Sequence, residues 1–241
     1  MKAIILAAGY ATRLYPLTEN FPKPLLPVGG RPILDWLIDD LKYTIEEFIV
    51  VSNHKFAGQF IEWAKGKSIS VIDDGTDRNE ARLGAVKDIQ LATQGITEDV
   101  FVMAGDNVLA FSLVPFVKFA QSKGTSCVMC HEENDLARQQ RTAIITVKDD
   151  GLITSYEEKP EYPKGNLAVP PFYYYMASDV SRIPEALANG CGFDAPGSFA
   201  AWLSSKTPMH AWKMPGSRHD IGDMKSYEMV KESYTGPDSL C

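Results

Sequence analysis

The sequence predicts an α/β fold: a Rossmann-like, doubly wound, mostly parallel central sheet with helices on both faces and a small antiparallel extension in the second half. Three observations carry that expectation. Short apolar, β-branched runs recur along the chain, segments with helical spacing lie between most of them, and a hairpin pattern after Arg141 interrupts the alternation.

Strands are expected at Lys2–Ala7, Phe48–Ser52, Ile69–Asp73, Val100–Ala104, Ser126–His131, Thr142–Val147, Phe172–Met176 and His210–Met214, each a short run of residues that suit a pleated, half-buried surface. A helix is expected over Ile33–Tyr43, where Ile33, Leu34, Leu37, Ile38 and Leu41 share a face and Asp39 and Asp40 take the wet one. Phe56–Ala64 repeats the pattern with Phe56, Phe60, Ile61 and Ala64, and a further helix is expected over Met224–Ser233. Strands alternating with helices need crossover connections, which make neighbouring strands parallel. Thr142–Val147, the turn Asp149-Asp150-Gly151 and Leu152–Glu157 instead spell a hairpin. No linker, low-complexity tract or internal repeat divides the chain, so residues 1–241 are expected to form a single domain, with no appended second domain. Proline and glycine cluster at Pro22–Pro27, Pro160–Pro171 and Cys191–Gly197, as ordered loops over a cleft would. In open α/β sheets, ligands bind beyond the carboxyl ends of the strands.

Composition narrows the function. With 45% hydrophobic and 23% charged residues the chain is an ordinary globular one, and a net charge of -7 argues against gripping nucleic acid through a basic surface. The start MKAIILAAGY does not fit a secretion signal, and no run approaches the roughly 20 apolar residues of a membrane span, so a cytoplasmic protein with no membrane partner is expected. Cys127 and Cys130 have the spacing of a metal or redox pair. On a buried strand, however, an odd separation sends them to opposite faces, and structural cysteine is the expectation.

The first strand runs into Leu6-Ala7-Ala8-Gly9-Tyr10-Ala11-Thr12-Arg13-Leu14, a loop of small residues whose backbone N–H groups can approach phosphate closely. It is neither a dinucleotide fingerprint, since Leu14 stands where the third glycine belongs, nor a Walker loop, which ends in Gly-Lys-Ser/Thr. Pro16-Leu17-Thr18 and Pro22-Lys23-Pro24-Leu25-Leu26-Pro27-Val28 follow, then Leu83-Gly84-Ala85, Gly105-Asp106-Asn107, Glu157-Glu158-Lys159-Pro160 and Asp220-Ile221-Gly222. These seven blocks, in this order and spanning nearly the whole chain, resemble the sugar nucleotidylyltransferases.

The resemblance implies transfer of an NMP from a nucleoside triphosphate to a phosphorylated acceptor, most simply a sugar 1-phosphate, with release of pyrophosphate. It implies that Arg13 and Lys23 hold the triphosphate and the developing charge, that Lys159 holds the acceptor phosphate, and that Asp106 and Asp220 ligate Mg²⁺. The chemistry fits these residue types independently. A phosphate monoester is largely ionised near neutral pH, so it needs no general base, and what remains is positioning and charge neutralisation. Two carboxylates suit Mg²⁺, which completes its shell with water and phosphate oxygens. For the nucleotide the resemblance points to Leu6, Ala8, Gly9, Tyr10, Ala11 and Thr12 and to the segment at Gly84, with Asn79, Glu80 and Arg82 available for base edges. For the acceptor it points to Ala143, Glu158, Lys159, Asn166, Tyr173 and Asp194. The resemblance leaves a homo-oligomer open. His54 and His219 are expected to be a helix-start residue and a cleft neighbour, because the chemistry asks for neither.

The chain also departs from the family's pattern. Ala11 replaces the usual loop glycine, Thr142-Ala143 replaces a tyrosine-glycine pair, and Pro170-Pro171-Phe172 takes the place of a glycine before the aromatic strand. Two alternatives stay open. One is a cytidylyltransferase acting on phosphocholine or another non-sugar phosphate or phosphonate, with Tyr173, Tyr174, Tyr175, Trp202 and Trp212 offering an aromatic cage. The other is a catalytically inactive, nucleotide-binding regulator, against which stands the retention of Arg13, Lys23, Asp106, Lys159 and Asp220.

Overall fold

The computed structural model describes residues 1–237. They fall into two compact units, one made of Met1–Leu83, Ala104–Val114 and the chain from Pro215 on, the other of Gly84–Met103 and Pro115–Met214. The α/β, Rossmann-like class is as the sequence predicts.

In the first unit the strand Lys2–Leu6 runs parallel to Glu47–Ser52, Ile4 opposite Ile49, and Glu47–Ser52 runs parallel to Ile69–Asp73. Ala3, Ile4, Ile5, Val50 and Val51 are all buried, the near-continuous apolar character expected of strands covered on both faces. The helix Ile33–Leu41 buries Ile33, Leu34, Leu37 and Leu41. It stops two residues short of Tyr43 because Thr44 and Ile45 both donate their N–H to the Leu41 carbonyl, closing a turn. Asp40, expected on the wet face, accepts a hydrogen bond from the Leu113 N–H at 2.7 Å. The helix His54–Ala64 begins at Asn53, whose side chain accepts from the Phe56 N–H. Ile61 is 53% exposed, contrary to the expected apolar stripe. Phe56, Phe60 and Ala64 recur every four residues and set the buried face, and Ile61 is turned about 100° from Phe60.

The second unit is where strands turn antiparallel. The hairpin is present as Ala143–Val147 and Ile153–Glu158. Leu167–Val169 pairs with Ala143–Val147 and with Cys127–Glu132, and Phe172–Tyr175 pairs with Cys127–Glu132 and with Val100–Ala104. Leu167–Val169 is a strand the sequence hides, three residues long and hemmed by prolines. His210–Lys213 runs parallel to Cys127–Glu132. Cys127 and Cys130 are buried free thiols, and loss of hydration pushes each up to about 11. That is the inert, structural kind of cysteine. No helix among the described residues is long and apolar enough to cross a membrane.

Candidate active site

The first unit's site is built around a pinch at Gly105. Its N–H donates to the Leu6 carbonyl at 3.1 Å, and a Cβ there would meet Leu34 at 3.0 Å, Ile5 at 3.2 Å and Pro24 at 3.3 Å. A residue without a side chain therefore lets the segment carrying Asp106 come against the end of the first strand and against Pro24. Pro22 and Pro24 restrict the backbone on either side of Lys23, which opens the 3₁₀ turn Lys23–Leu25. Lys23 is only 8% exposed, and its Nζ donates to Asp106 Oδ2 at 2.8 Å.

Asp220 arrives from distant sequence on the strand Arg218–Asp220, which pairs antiparallel with Asn107–Leu109 and sets Asp220 opposite Asn107. The Ile221 N–H donates to the Asp106 carbonyl at 3.1 Å, tying the two acidic segments together. Asp220 keeps an open, solvent-facing side, but protein crowds its carboxyl group. Its pKa is raised, first by that loss of hydration and then by the negative charge of Asp106, against the pull of Lys23, Arg218 and Arg13. Arg13 is exposed and makes no hydrogen bond or ion pair to any described residue, and its guanidinium lies 3.9 Å from where a Cβ on Gly222 would stand.

One apolar cluster underlies all four charges. Leu14, Leu26, Val28, Ile33, Val108, Ile221, Tyr227 and Val230 pack together, so Leu14 anchors the chain beside Arg13, Ile221 beside Asp220, Leu26 near Lys23 and Val108 near Asp106. Burying side chains such as Leu14 and Ile221 stabilises the fold by about 1.5–3 kcal/mol each. The same burial positions the charged neighbours. Asp223, next in the chain, caps the helix Met224–Val230 through a reciprocal bond pair with Ser226.

The small-residue loop is pinned at several points. Ala7 N–H donates to Val51, the Ala8 carbonyl accepts from buried Asn53, Tyr10 donates its hydroxyl to the Thr76 carbonyl, and Thr18 donates to the Ala11 carbonyl. Gly9 is exposed, with open space where a side chain would stand. Ala11 has φ 48° and ψ 41°, the left-handed region, so the missing glycine is the costly version of that departure. Thr12–Leu14 is a 3₁₀ turn. Farther along, Arg82 donates to Asn79 Oδ1 at 3.1 Å, beside the short turn Asn79–Ala81. His54 is the exposed first residue of its helix, held at 2.6 Å by Asp73, which raises its pKa. His219 sits opposite Val108 in the Asp220 ladder.

In the second unit the ladder lines up Glu158, Ala143 and Val169 across three strands. Lys159 follows with φ 50°, left-handed backbone in a residue that rarely adopts it, held by its N–H on the Thr142 carbonyl. Glu158 turns its carboxylate toward the start of the helix Gly197–Ser204, where Oε2 is buried without a hydrogen-bond partner. Burial raises its pKa, opposed by the charge of Lys159. A Cβ on Gly197 would come within 2.3 Å of Glu158 Oε2 and 3.3 Å of the Tyr156 hydroxyl. Tyr156 is thus a neighbour of Glu158 that sequence reasoning missed. Tyr173 stacks on Tyr175 at 5.7 Å, and Tyr175 meets Phe199. Tyr174 points elsewhere and donates to Asp99, while Trp212 packs against Phe116. The five aromatic residues therefore do not converge into one cage. Gly84, with φ 93°, leaves no space for a side chain beside Phe193, and the carbonyls of Phe193 and Asp194 cap the helix Ala85–Ala92 by accepting from Val86 and Ala85. Asn166 is exposed and donates to Asn134, three residues and about 10 Å along the strand from Val169.

The sequence profile of the nucleotidyl transferase family matches residues 2–236. The chain belongs to that family. It is similar to a UTP–glucose-1-phosphate uridylyltransferase of Haloferax volcanii, 31% identical over 227 residues that cover 92% of this chain and 91% of that one. A UTP–glucose-1-phosphate uridylyltransferase of Synechocystis is 25% identical over 94% of this chain and 61% of its own length. Among solved structures, a UDP-glucose pyrophosphorylase complexed with UDP-glucose shares the fold, with a TM-score of 0.81, 19% identity and coverage of 97% of both chains. This chain is accordingly a nucleotidyltransferase.

Proposed function

We propose that this nucleotidyltransferase passes an NMP from a nucleoside triphosphate to a sugar 1-phosphate, giving an NDP-sugar and pyrophosphate, with Mg²⁺ as cofactor and the cytoplasm as its place of action. One observation carries this: Arg13 and Lys23, Asp106, and Asp220, from three distant stretches of the chain, each lie beside or near a residue of one apolar cluster, with Lys23 paired to Asp106 and Asp220 within the field of the other three. The relatives' named acceptor, glucose 1-phosphate, supports a sugar 1-phosphate here. Residues 1–241 are taken as one catalytic domain, since the family profile runs through both units.

The acceptor's ionised phosphate oxygen attacks the α-phosphorus, and the bond to the bridging oxygen of pyrophosphate breaks. No group of the chain need take a proton. Lys23 and exposed Arg13 are assigned to the triphosphate and the charge that develops on the departing pyrophosphate. The pinned loop Leu6 to Thr12 takes the nucleotide through its backbone, with Gly9 the point of closest approach. Glu158, Ala143 and Lys159 are assigned to the acceptor, Lys159 to its phosphate. Asp106 and Asp220 suit a magnesium ion by number and charge, and Lys23 Nζ at Asp106 Oδ2 supports the view that the spot favours a cation. Magnesium there would neutralise and orient phosphate oxygens.

The test is pyrophosphate release with magnesium, each nucleoside triphosphate against a panel of sugar 1-phosphates, phosphocholine and aminoethylphosphonate. Release that depends on one sugar phosphate is the expected result and names both substrates. Release only with CTP and a non-sugar acceptor would replace the sugar, and none with any pair would leave a nucleotide-binding protein without turnover.

A further inference from the structure

Asp106 has a second donor besides Lys23. Arg218 Nη1 donates to Asn107 Oδ1 at 2.5 Å, and Asn107 Nδ2 donates to Asp106 Oδ1 at 2.7 Å. The direction of this chain is dictated by chemistry. A guanidinium only donates and a carboxylate only accepts, so the amide oxygen of Asn107 must face Arg218 and its NH₂ must face Asp106. Asn107 is 1% exposed, so water has little access to replace either bond. The ladder that sets Asp220 opposite Asn107 also carries Arg218, two residues before Asp220.

The two bonds to Asp106 differ in what happens to them during turnover. Lys23 is assigned to phosphate, so its hold on Oδ2 must loosen when the triphosphate arrives. The Asn107 bond to Oδ1 has no such competitor. We propose that Arg218, acting through Asn107, is the positioning residue that keeps Asp106 aimed at its metal while Lys23 leaves it, an inference that rests on Asp106 being a magnesium ligand. Without Arg218 the buried amide is free to turn its oxygen toward Asp106, replacing a donor with a repelling acceptor.

The test is Mn²⁺ binding to the full chain, followed by electron paramagnetic resonance, together with the Mg²⁺ concentration giving half-maximal pyrophosphate release. Arg218→Leu and Asn107→Leu are each expected to weaken Mn²⁺ binding about 10-fold and to raise the half-maximal Mg²⁺ alike, the size typical of groups that orient a metal ligand. The rate should recover at high Mg²⁺. The double variant should be no worse than the weaker single one, because both break the same relay. Arg218→Lys, which keeps a donor, should recover most of the loss. Additive losses, or Mn²⁺ and Mg²⁺ responses within twofold of the parent in folded Arg218→Leu, would overturn the relay. If Asn107→Leu does not fold, Arg218→Leu against Arg218→Lys still decides. Asp106→Asn separates the premises: loss of metal binding there with none in Arg218→Leu sinks only the relay, whereas metal binding unchanged in Asp106→Asn sinks the metal assignment itself.

Discussion

Lys23 Nζ lies 2.8 Å from Asp106 Oδ2, so the cation proposed for phosphate and the carboxylate proposed for magnesium form an ion pair with each other. The lysine side chain is 9% exposed and the aspartate's 33%, which makes this a pair open to water on the acidic side only. A buried lysine without a partner is costly, and the pairing with Asp106 offsets that cost. With Asp106 holding magnesium and Lys23 holding phosphate, as proposed, each would exchange this partner for another group of opposite charge.

The first prediction follows from that exchange. Asp106→Asn should lower magnesium-dependent pyrophosphate release at least about 100-fold, the scale of losing one electrostatic stabiliser of the transition state. Some stability should be lost as well, because asparagine offers one accepting oxygen where Asp106 accepts from both Lys23 and Asn107, and the lysine loses its counter-charge; the partly solvated position limits that loss. Steady-state kinetics and a thermal melt check both halves. A well-folded variant with full magnesium-dependent activity removes Asp106 from the mechanism.

Ala11 yields a second prediction of the opposite sign. Its left-handed backbone, φ 48°, is held by Thr18 on its carbonyl and by the following 3₁₀ turn, so the strain cannot relax locally. Left-handed alanine costs about 1–2 kcal/mol, while glycine adds about 0.5–1 kcal/mol of chain entropy in the unfolded state. Ala11→Gly should therefore stabilise the protein by about 0.5–1 kcal/mol, roughly 1–4 °C in Tm for a chain of this size, with activity kept. A lower Tm would mean that the loop does not hold this conformation in solution.

How much of this was legible in the sequence depends on distance along the chain. Arg13, Lys23, Asp106 and Asp220 each sit beside or near an apolar residue of one cluster, so the motif blocks carried the site with them. The bond from Arg218 to Asn107 joins residues 111 apart, and Asp-Asn pairs are so common in turns that Asn107 gave no sign of being a buried strand residue. Ile61 failed for a simpler reason, since a stripe set by Phe56, Phe60 and Ala64 leaves it on the shoulder of its helix. Glycines Gly105 and Gly197 were visible as letters, but the atoms that exclude a side chain at each come from elsewhere in the chain.

Gly197 provides the third prediction. An added methyl group would stand 2.3 Å from Glu158 Oε2, and the end of a flexible side chain can move away more cheaply than backbone can. Gly197 opens a helix, where alanine is the better former, so Gly197→Ala should fold normally while displacing the Glu158 carboxylate. If Glu158 contacts the acceptor, the acceptor KM should rise about 10-fold, the scale of losing one charged hydrogen bond, with the nucleotide KM unchanged. Equal acceptor KM values in the two proteins would take Glu158 out of the acceptor site.

The fourth prediction separates what Glu158 does for the fold from what it does for the reaction. Its pKa is raised above the ordinary 4.5, chiefly because burial disfavours the carboxylate, with Lys159 opposing. The folded state therefore holds the proton more tightly than the unfolded chain does. The resulting stability is fully present below about pH 4.5 and is lost as the pH rises through the raised folded value. Glu158→Gln removes that penalty: its melting temperature should exceed the parent's at neutral pH, and the difference should shrink toward zero as the pH falls below 4.5. Thermal melts of the two proteins across that range measure the difference directly, since titrations common to both cancel. The same variant should bind the acceptor more weakly, because an amide cannot replace a carboxylate as a charged acceptor of hydrogen bonds. Both outcomes together would account for a buried, unpartnered Oε2 that costs stability at neutral pH by a role in acceptor binding. A Glu158→Gln protein less stable than the parent at neutral pH would instead make the carboxylate a structural anchor for the start of the helix Gly197–Ser204.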